Sequence, residues 1–336
     1  MLILANAFWA LSFPTVKALL LVQQQSIPES PAATWFLTAV TLTYRFGLAA
    51  VVMMFICAGT IRRLTRLEVW EGLGLGIFAS AGLILQMDGL AHTLASTSAF
   101  LTQFYCLLIP LIVAVRERRW PSHVVVVSCL MVIAGVAVLS DIHWGQIRMG
   151  RGEIETLMGS TIFTAQILWL QRPKFAVNDV NHFTLVMFAV IALAGVPLGW
   201  MTQQEAVHWA TVYASIPTWT YLAILTVFCT LGAYRLMNRW QPVLTATQAG
   251  LLYCLEPVFA SLFALFLPGI FSRWTGVAYP NEELTLALLG GGALITLANA
   301  MIQLQPAQGV ARKVEVAAPV AVGEGRSGRE QETGEL

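Results

Sequence analysis

Stretches of about twenty mostly apolar residues recur along the chain, each long enough to cross roughly 30 Å of hydrocarbon as a helix. They run 2–22, 36–57, 69–91, 95–115, 121–140, 153–171, 182–201, 216–236, 243–267 and 284–304. Backbone polar groups in lipid must be satisfied within the element that carries them, so spans of this length predict helices. The expected fold class is therefore all-α integral membrane, with ten transmembrane helices. Composition agrees: 57% of residues are hydrophobic, 11% are charged, and mean hydropathy is +0.71. A net charge of +1 creates no field suited to nucleic acid, and membrane lipid is the expected surrounding partner.

Basic residues set the orientation. With the N-terminus inside, the inner loops and adjacent helix ends hold Arg62, Arg63, Arg66, Arg116, Arg118, Arg119, Arg172, Lys174, Arg235 and Arg239. The outer loops then hold only Arg148, Arg151 and Arg273, so the positive-inside rule predicts cytoplasmic termini. The first span lacks a basic leader and a small-residue cleavage site, and is expected to be retained.

The polar, glycine-containing stretch "DIHWGQIRMGRGE" (141–153) divides the spans five and five. An odd number per half makes the second half enter from the opposite face, as in inverted-repeat transporters. The expected organisation is a five-helix repeat over 1–143, an outer linker over 144–152, a second repeat over 153–304 and a disordered cytoplasmic tail over 305–336. "TSAFLTQFYCLLIP" (97–110) resembles "TQAGLLYCLEP" (247–257), with the tyrosines two residues out of step.

Cys57, Cys106, Cys129, Cys229 and Cys254 lie in or beside apolar spans without metal-ligand spacing, and read as small buried residues. His92, His123, His143, His182 and His208 fall near span ends or in loops, which suits interfacial residues. Phosphate loops, paired metal-binding histidines and nucleophile elbows are absent, so no cofactor, metal or catalytic residue is assigned.

Polar groups at membrane depth carry the information, because an ionisable side chain there costs roughly 2.5–3.5 kcal/mol even on lenient scales. Glu256 stands within "LLYCLEPVFASLFALFLP", immediately before Pro257. One reading is structural, a kink residue near the carbonyl that Pro257 frees; the other gives it a wet cavity where it meets a solute or a coupling proton. Arg45 is expected to pair with a carboxylate or with freed backbone carbonyls. Lys17 and Asp88 lie nearer span ends, where snorkelling relieves them. A second set, Trp9, Phe13, Gln86, Gln103, Tyr105, Gln166, Trp169, Gln248 and Tyr253, reads either as packing and interhelical glue or as a cavity lining. Its recurrence at similar depth in both halves, beside Pro14, Pro110 and Pro257, favours the lining.

Several stretches, taken in order, resemble the EamA-type branch of the drug/metabolite transporter superfamily over residues 1 to about 304. They are "FWALSFPTVKALL", "YRFGLAAVV", "QMDGLAHTLASTSAFLTQFYCLLIPLIVAVRERRWP", "TATQAGLLYCLEPVFASLFAL" and "NEELTLALLGGGALITLANA". The resemblance implies two inverted five-helix repeats around a central cavity and export of small metabolites by alternating access. Glu256 and Pro257 match the family's Glu-Pro, and Glu117 with Glu282 or Glu283 fall near its acidic positions. The first half lacks a glutamate before Pro110, and "PGIFSRWTGVAYPN" (268–281) inserts a long outer loop, expected as a lid.

The resulting expectation is a non-enzymatic secondary transporter of a bacterial inner membrane, exporting amino acids or similar small organic metabolites, with or without a coupling proton. The expected cavity comprises Glu256, Tyr253, Gln248, Gln103, Gln86, Gln166, Trp169, Trp9 and Phe13, with Arg45 as charge partner. The alternatives are a nucleotide-sugar or sugar-phosphate carrier, which needs cavity cations, and a membrane-embedded enzyme acting on a lipid-linked substrate, which needs clustered interfacial His, Asp or Ser.

Overall fold

The computed structural model describes residues 1–28, 32–139, 150–203, 209–283 and 285–303. Most of the predicted linker, His143, His208 and the tail 305–336 lie outside the described residues. Every regular element among the described residues is helical. They are α1 (Leu2–Gln24), α2 (Ala33–Cys57), α3 (Arg66–Ala91), α4 (Ala95–Thr102), α5 (Tyr105–Glu117), α6 (His123–Leu139) and α7 (Arg151–Leu170). There follow α8 (Val180–Thr202), α9 (Ile216–Ile224), α10 (Ala233–Trp240), α11 (Ala246–Tyr253), α12 (Glu256–Ala264), α13 (Leu267–Thr275) and α14 (Leu286–Gln303).

Six segments among the described residues are long and apolar enough to cross a membrane: α1, α2, α3, the α4–α5 pair, α8 and the run Ile216–Val243. Counting the pair α11–α12 with α13, bent by 48° at its break, adds a seventh. The ten predicted spans are therefore not all matched by length and apolarity. Over α6 and α14 the apolar core is shorter (His123–Gly135 and Leu289–Ala298), and α7 is interrupted by polar residues such as Arg151, Glu153, Glu155 and Gln166.

Close approach of small residues fixes the packing of α3 on α7. A Cβ at Gly89 would stand 2.7 Å from the Gly152 carbonyl, and one at Gly159 would stand 2.8 Å from the Gly82 carbonyl. Only glycine allows these backbones to touch, the association mode expected where lipid gives helices no hydrophobic incentive to pair. Elsewhere α2 packs on α8, α6 on α14, and α1 on α10 and α12.

Two predicted continuous spans are broken. α4 and α11 are each eight residues long, and each gives way after a two-residue break to α5 or α12. The breaks place Tyr105 and Glu256 at equivalent positions, each opening its second helix. This register, an offset of 151 residues, differs from both parts of the match read from sequence, since Thr97 and Thr247 are 150 apart and Tyr105 and Tyr253 are 148 apart. Pro257, in the first turn of α12, needs no helical donor and costs little there.

Residues 268–281 are not a plain loop. Leu267–Thr275 form α13, which ends at Gly276 with φ +73°, and the chain then folds back. Tyr279 bonds Ser272 through both backbone groups, the Gly269 N–H donates to Asn281 Oδ1 at 2.6 Å, and the Glu282 N–H reaches the Ala264 carbonyl at 2.9 Å. Tyr221 seals the inner side against Phe271 and Trp274, with centroids at 5.1 and 5.3 Å.

Candidate functional site

Each helix break exposes backbone groups that an α-helix would pair, and buried groups of this kind must find partners. At the α11 break the fully buried Asn6 of α1 donates Nδ2 to the Leu252 carbonyl at 2.9 Å. At the α4 break Ser160 of α7 serves both sides: its hydroxyl donates to the Thr102 carbonyl at 2.6 Å and accepts from the Tyr105 N–H at 2.9 Å. So α1 serves the break after α11, and α7 serves the break after α4. The two breaks also meet, because Gln103 Nε2 donates to Glu256 Oε2 at 3.2 Å.

Beside this junction lies a cavity. Trp9, Phe13, Gln86, Gln166, Tyr253, Glu256 and Arg45, all expected site residues, line it. Trp9 packs edge-on against Tyr234 and Tyr253, with centroids at 5.5 and 5.4 Å, and its indole N–H has no partner among the described residues. Gln86 is held by Thr102 Oγ1 at 2.8 Å, whereas the amide nitrogen of Gln166 is buried without a partner. The Tyr253 hydroxyl donates to Gln241 Oε1 at 2.9 Å, and Gln241 in turn donates to the Ile167 carbonyl at 3.0 Å. The walls are chiefly aromatic and aliphatic with a few fixed polar groups, a pattern typical of small-molecule pockets.

Three expectations need correction. Gln248 lies outside the lining: its side chain accepts from the Thr245 N–H at 3.1 Å in a capping box, so its polarity belongs to the start of α11. Trp169 is also outside. Its N–H donates to the Glu71 carbonyl at 3.2 Å, Arg172 stacks 3.9 Å from its ring centroid, and it fills the space opposite Gly74. Gln103 does not line the cavity; it stands behind Glu256 as its donor. Tyr105, named in the wider polar and aromatic set, also lines the cavity, as do Tyr234, Met237 and Phe163, which that set did not include. A tyrosine in an apolar run gives no sign of the direction it faces.

Arg45 meets the second of its two sequence readings. Its Nε donates to Thr230 Oγ1 at 2.5 Å and its Nη2 to the Cys229 carbonyl at 3.1 Å. Both acceptors sit on a π-helical turn, Leu225–Gly232, whose wider winding leaves carbonyls available to a side-chain donor.

The other charges are less solvated than snorkelling predicts. Asp88 is fully buried and paired with Arg151, which also holds Glu155 at 2.7 Å. His92, just beyond α3, is kept below its usual range by partial burial and then by the Arg151 charge. Lys17 donates to the Thr93 carbonyl and lines a second hollow with Ser96, Ser261, Tyr279, Glu282 and Glu283. His182, expected at the interface, is buried, with Nδ1 3.1 Å from Glu68 Oε2 and Nε2 3.0 Å from Thr60 Oγ1.

Long apolar helices packed around a largely apolar cavity with a few buried polar groups define the class, a multi-pass helical membrane protein. No family model matches the sequence. Over 235 residues, 70% of this chain and 69% of the relative, the sequence is 25% identical to an uncharacterized transporter of Archaeoglobus fulgidus. A solved crystal structure superposes with a TM-score of 0.56 at 18% identity, over 89% of this chain and 96% of that one, a likeness of fold.

Proposed function

We propose that the protein is a secondary transporter of the bacterial inner membrane, exporting amino acids or similar small organic metabolites by alternating access. The observation that carries this reading is the meeting of two broken helices at Gln103 and Glu256 beside a cavity that Glu256 lines. Discontinuous helices with polar groups at the break are how transporters build a solute site at membrane depth. Similarity to an uncharacterized transporter supports the same class, and the motifs resembling the EamA-type branch agree with it.

In this reading α6, α7 and α14 also cross the membrane, giving ten spans in two inverted five-helix repeats with cytoplasmic termini. The reciprocal repair of the breaks by Asn6 and Ser160 supports the repeat, since a two-fold relation demands that each half do for the other what is done for it. Glu256 carries the coupling proton in this scheme, and Gln103 steadies its carboxyl between the two states.

Purified full-length protein in liposomes, assayed by counterflow of a panel of labelled metabolites, tests both parts. Wild type is expected to exchange at least one solute class with a pH-dependent rate. Glu256→Gln is expected to fold normally and to lose that dependence. Exchange of no solute ends the transporter reading, and an unchanged pH profile in the variant ends the coupling role of Glu256.

A further inference from the structure

Arg45 is 3% exposed and lines the cavity, yet no carboxylate lies within ion-pair distance of it among the described residues. Its protein partners are neutral: the Thr230 hydroxyl, the Cys229 carbonyl and the face of Phe46, 5.3 Å from the guanidinium. A guanidinium has five N–H donors, and these bonds occupy only Nε and Nη2. Holding a π-turn carbonyl does not require a charge, since a neutral amide does the same at far lower desolvation cost. Glu256 borders the same cavity but takes its hydrogen bond from Gln103, so the chamber keeps its cation and its anion apart.

Resting on the transporter reading, we propose that Arg45 is the specificity-determining residue that receives a carboxylate of the transported solute. The guanidinium fork matches a carboxylate in two parallel hydrogen bonds, and the ion pair forms only while the solute is present. A single fixed cation balances one negative charge. A phosphomonoester, carrying about −1.5 to −2 at neutral pH, would leave the excess facing Glu256. A carboxylate is therefore the preferred class of anion.

The test is counterflow with full-length protein in liposomes, using matched labelled sets in which one carbon skeleton carries a carboxylate, its primary amide or a phosphomonoester. Wild type is expected to exchange the carboxylates at least about ten-fold faster than either counterpart, the factor that 1.4 kcal/mol of differential binding produces. Arg45→Gln is expected to bring carboxylate and amide within about two-fold, whereas Thr230→Val, which keeps the charge, preserves the preference. Should Arg45→Gln fail to fold, Arg45→Lys gives the reading: without the fork the KM for carboxylates rises about ten-fold while maximal exchange is nearly kept. Wild type that exchanges amides or phosphomonoesters as well as carboxylates overturns the assignment. So does an Arg45→Gln protein that keeps the preference, or an Arg45→Lys protein with unchanged KM. Exchange of no solute class removes the transporter reading and the assignment with it.

Discussion

Glu256 and Gln248 show how residue type and residue role separate. Both are polar groups of the same predicted span, but Glu256 opens α12 on the cavity wall and Gln248 spends its amide on the Thr245 N–H at the start of α11. Gln248→Ala is therefore expected to lower thermal stability in detergent by about 0.5–2 kcal/mol, the usual cost of losing a cap, with the KM for solute in the counterflow assay unchanged. A raised KM without a stability loss would return Gln248 to the site. Trp169 follows the same logic: its size and amphipathic ring suit a cavity wall, but Gly74 opposite it makes a socket outside the chamber.

Among the elements, the broken helices govern the rest. Each break leaves backbone groups in a dry interior, and one hydroxyl at Ser160 satisfies a carbonyl and an N–H together. Ser160→Ala orphans both, at about 1–3 kcal/mol for each group, and should cost more stability than Asn6→Ala, which leaves the Leu252 carbonyl the Leu255 N–H at 3.2 Å. Thermal melts of the two variants in the same detergent compare them, and the reverse order would mean that the breaks are held by other contacts. The glycine seam makes a second prediction. Gly152→Ala pushes a Cβ to 2.6 Å from the Gly89 carbonyl, so α3 and α7 must separate, with a loss of about 1–3 kcal/mol in the same assay. An unchanged melting temperature would show that the seam is looser than its distances imply.

At the scale of the whole molecule, the proposed ten-span topology places Arg63 and Arg119 inside and Thr275 outside. Single cysteines at these positions should react with an impermeant maleimide from opposite faces: Thr275→Cys in intact cells, Arg63→Cys and Arg119→Cys only after permeabilisation. Native Cys57, Cys106, Cys229 and Cys254 are buried and Cys129 is half-buried, so background labelling should be low. Labelling of Arg63→Cys and Thr275→Cys from the same side would defeat the topology and the inverted repeat together.

Apolar length and the near absence of charge dictated a helical membrane protein before any coordinate was known, because lipid permits few other ways to satisfy a backbone. The intramembrane positions of Glu256, Arg45 and the glutamines were legible for the same reason, as costs that demand partners. Which partner each would find was not legible. Asn6 meets Leu252 across 246 positions and Arg45 meets Thr230 across 185, and nothing local in either stretch encodes such encounters. Helix breaks without a Gly or Pro at the first of them, and a direction of facing for each aromatic, are settled only when the helices pack and every buried polar group must be answered at once.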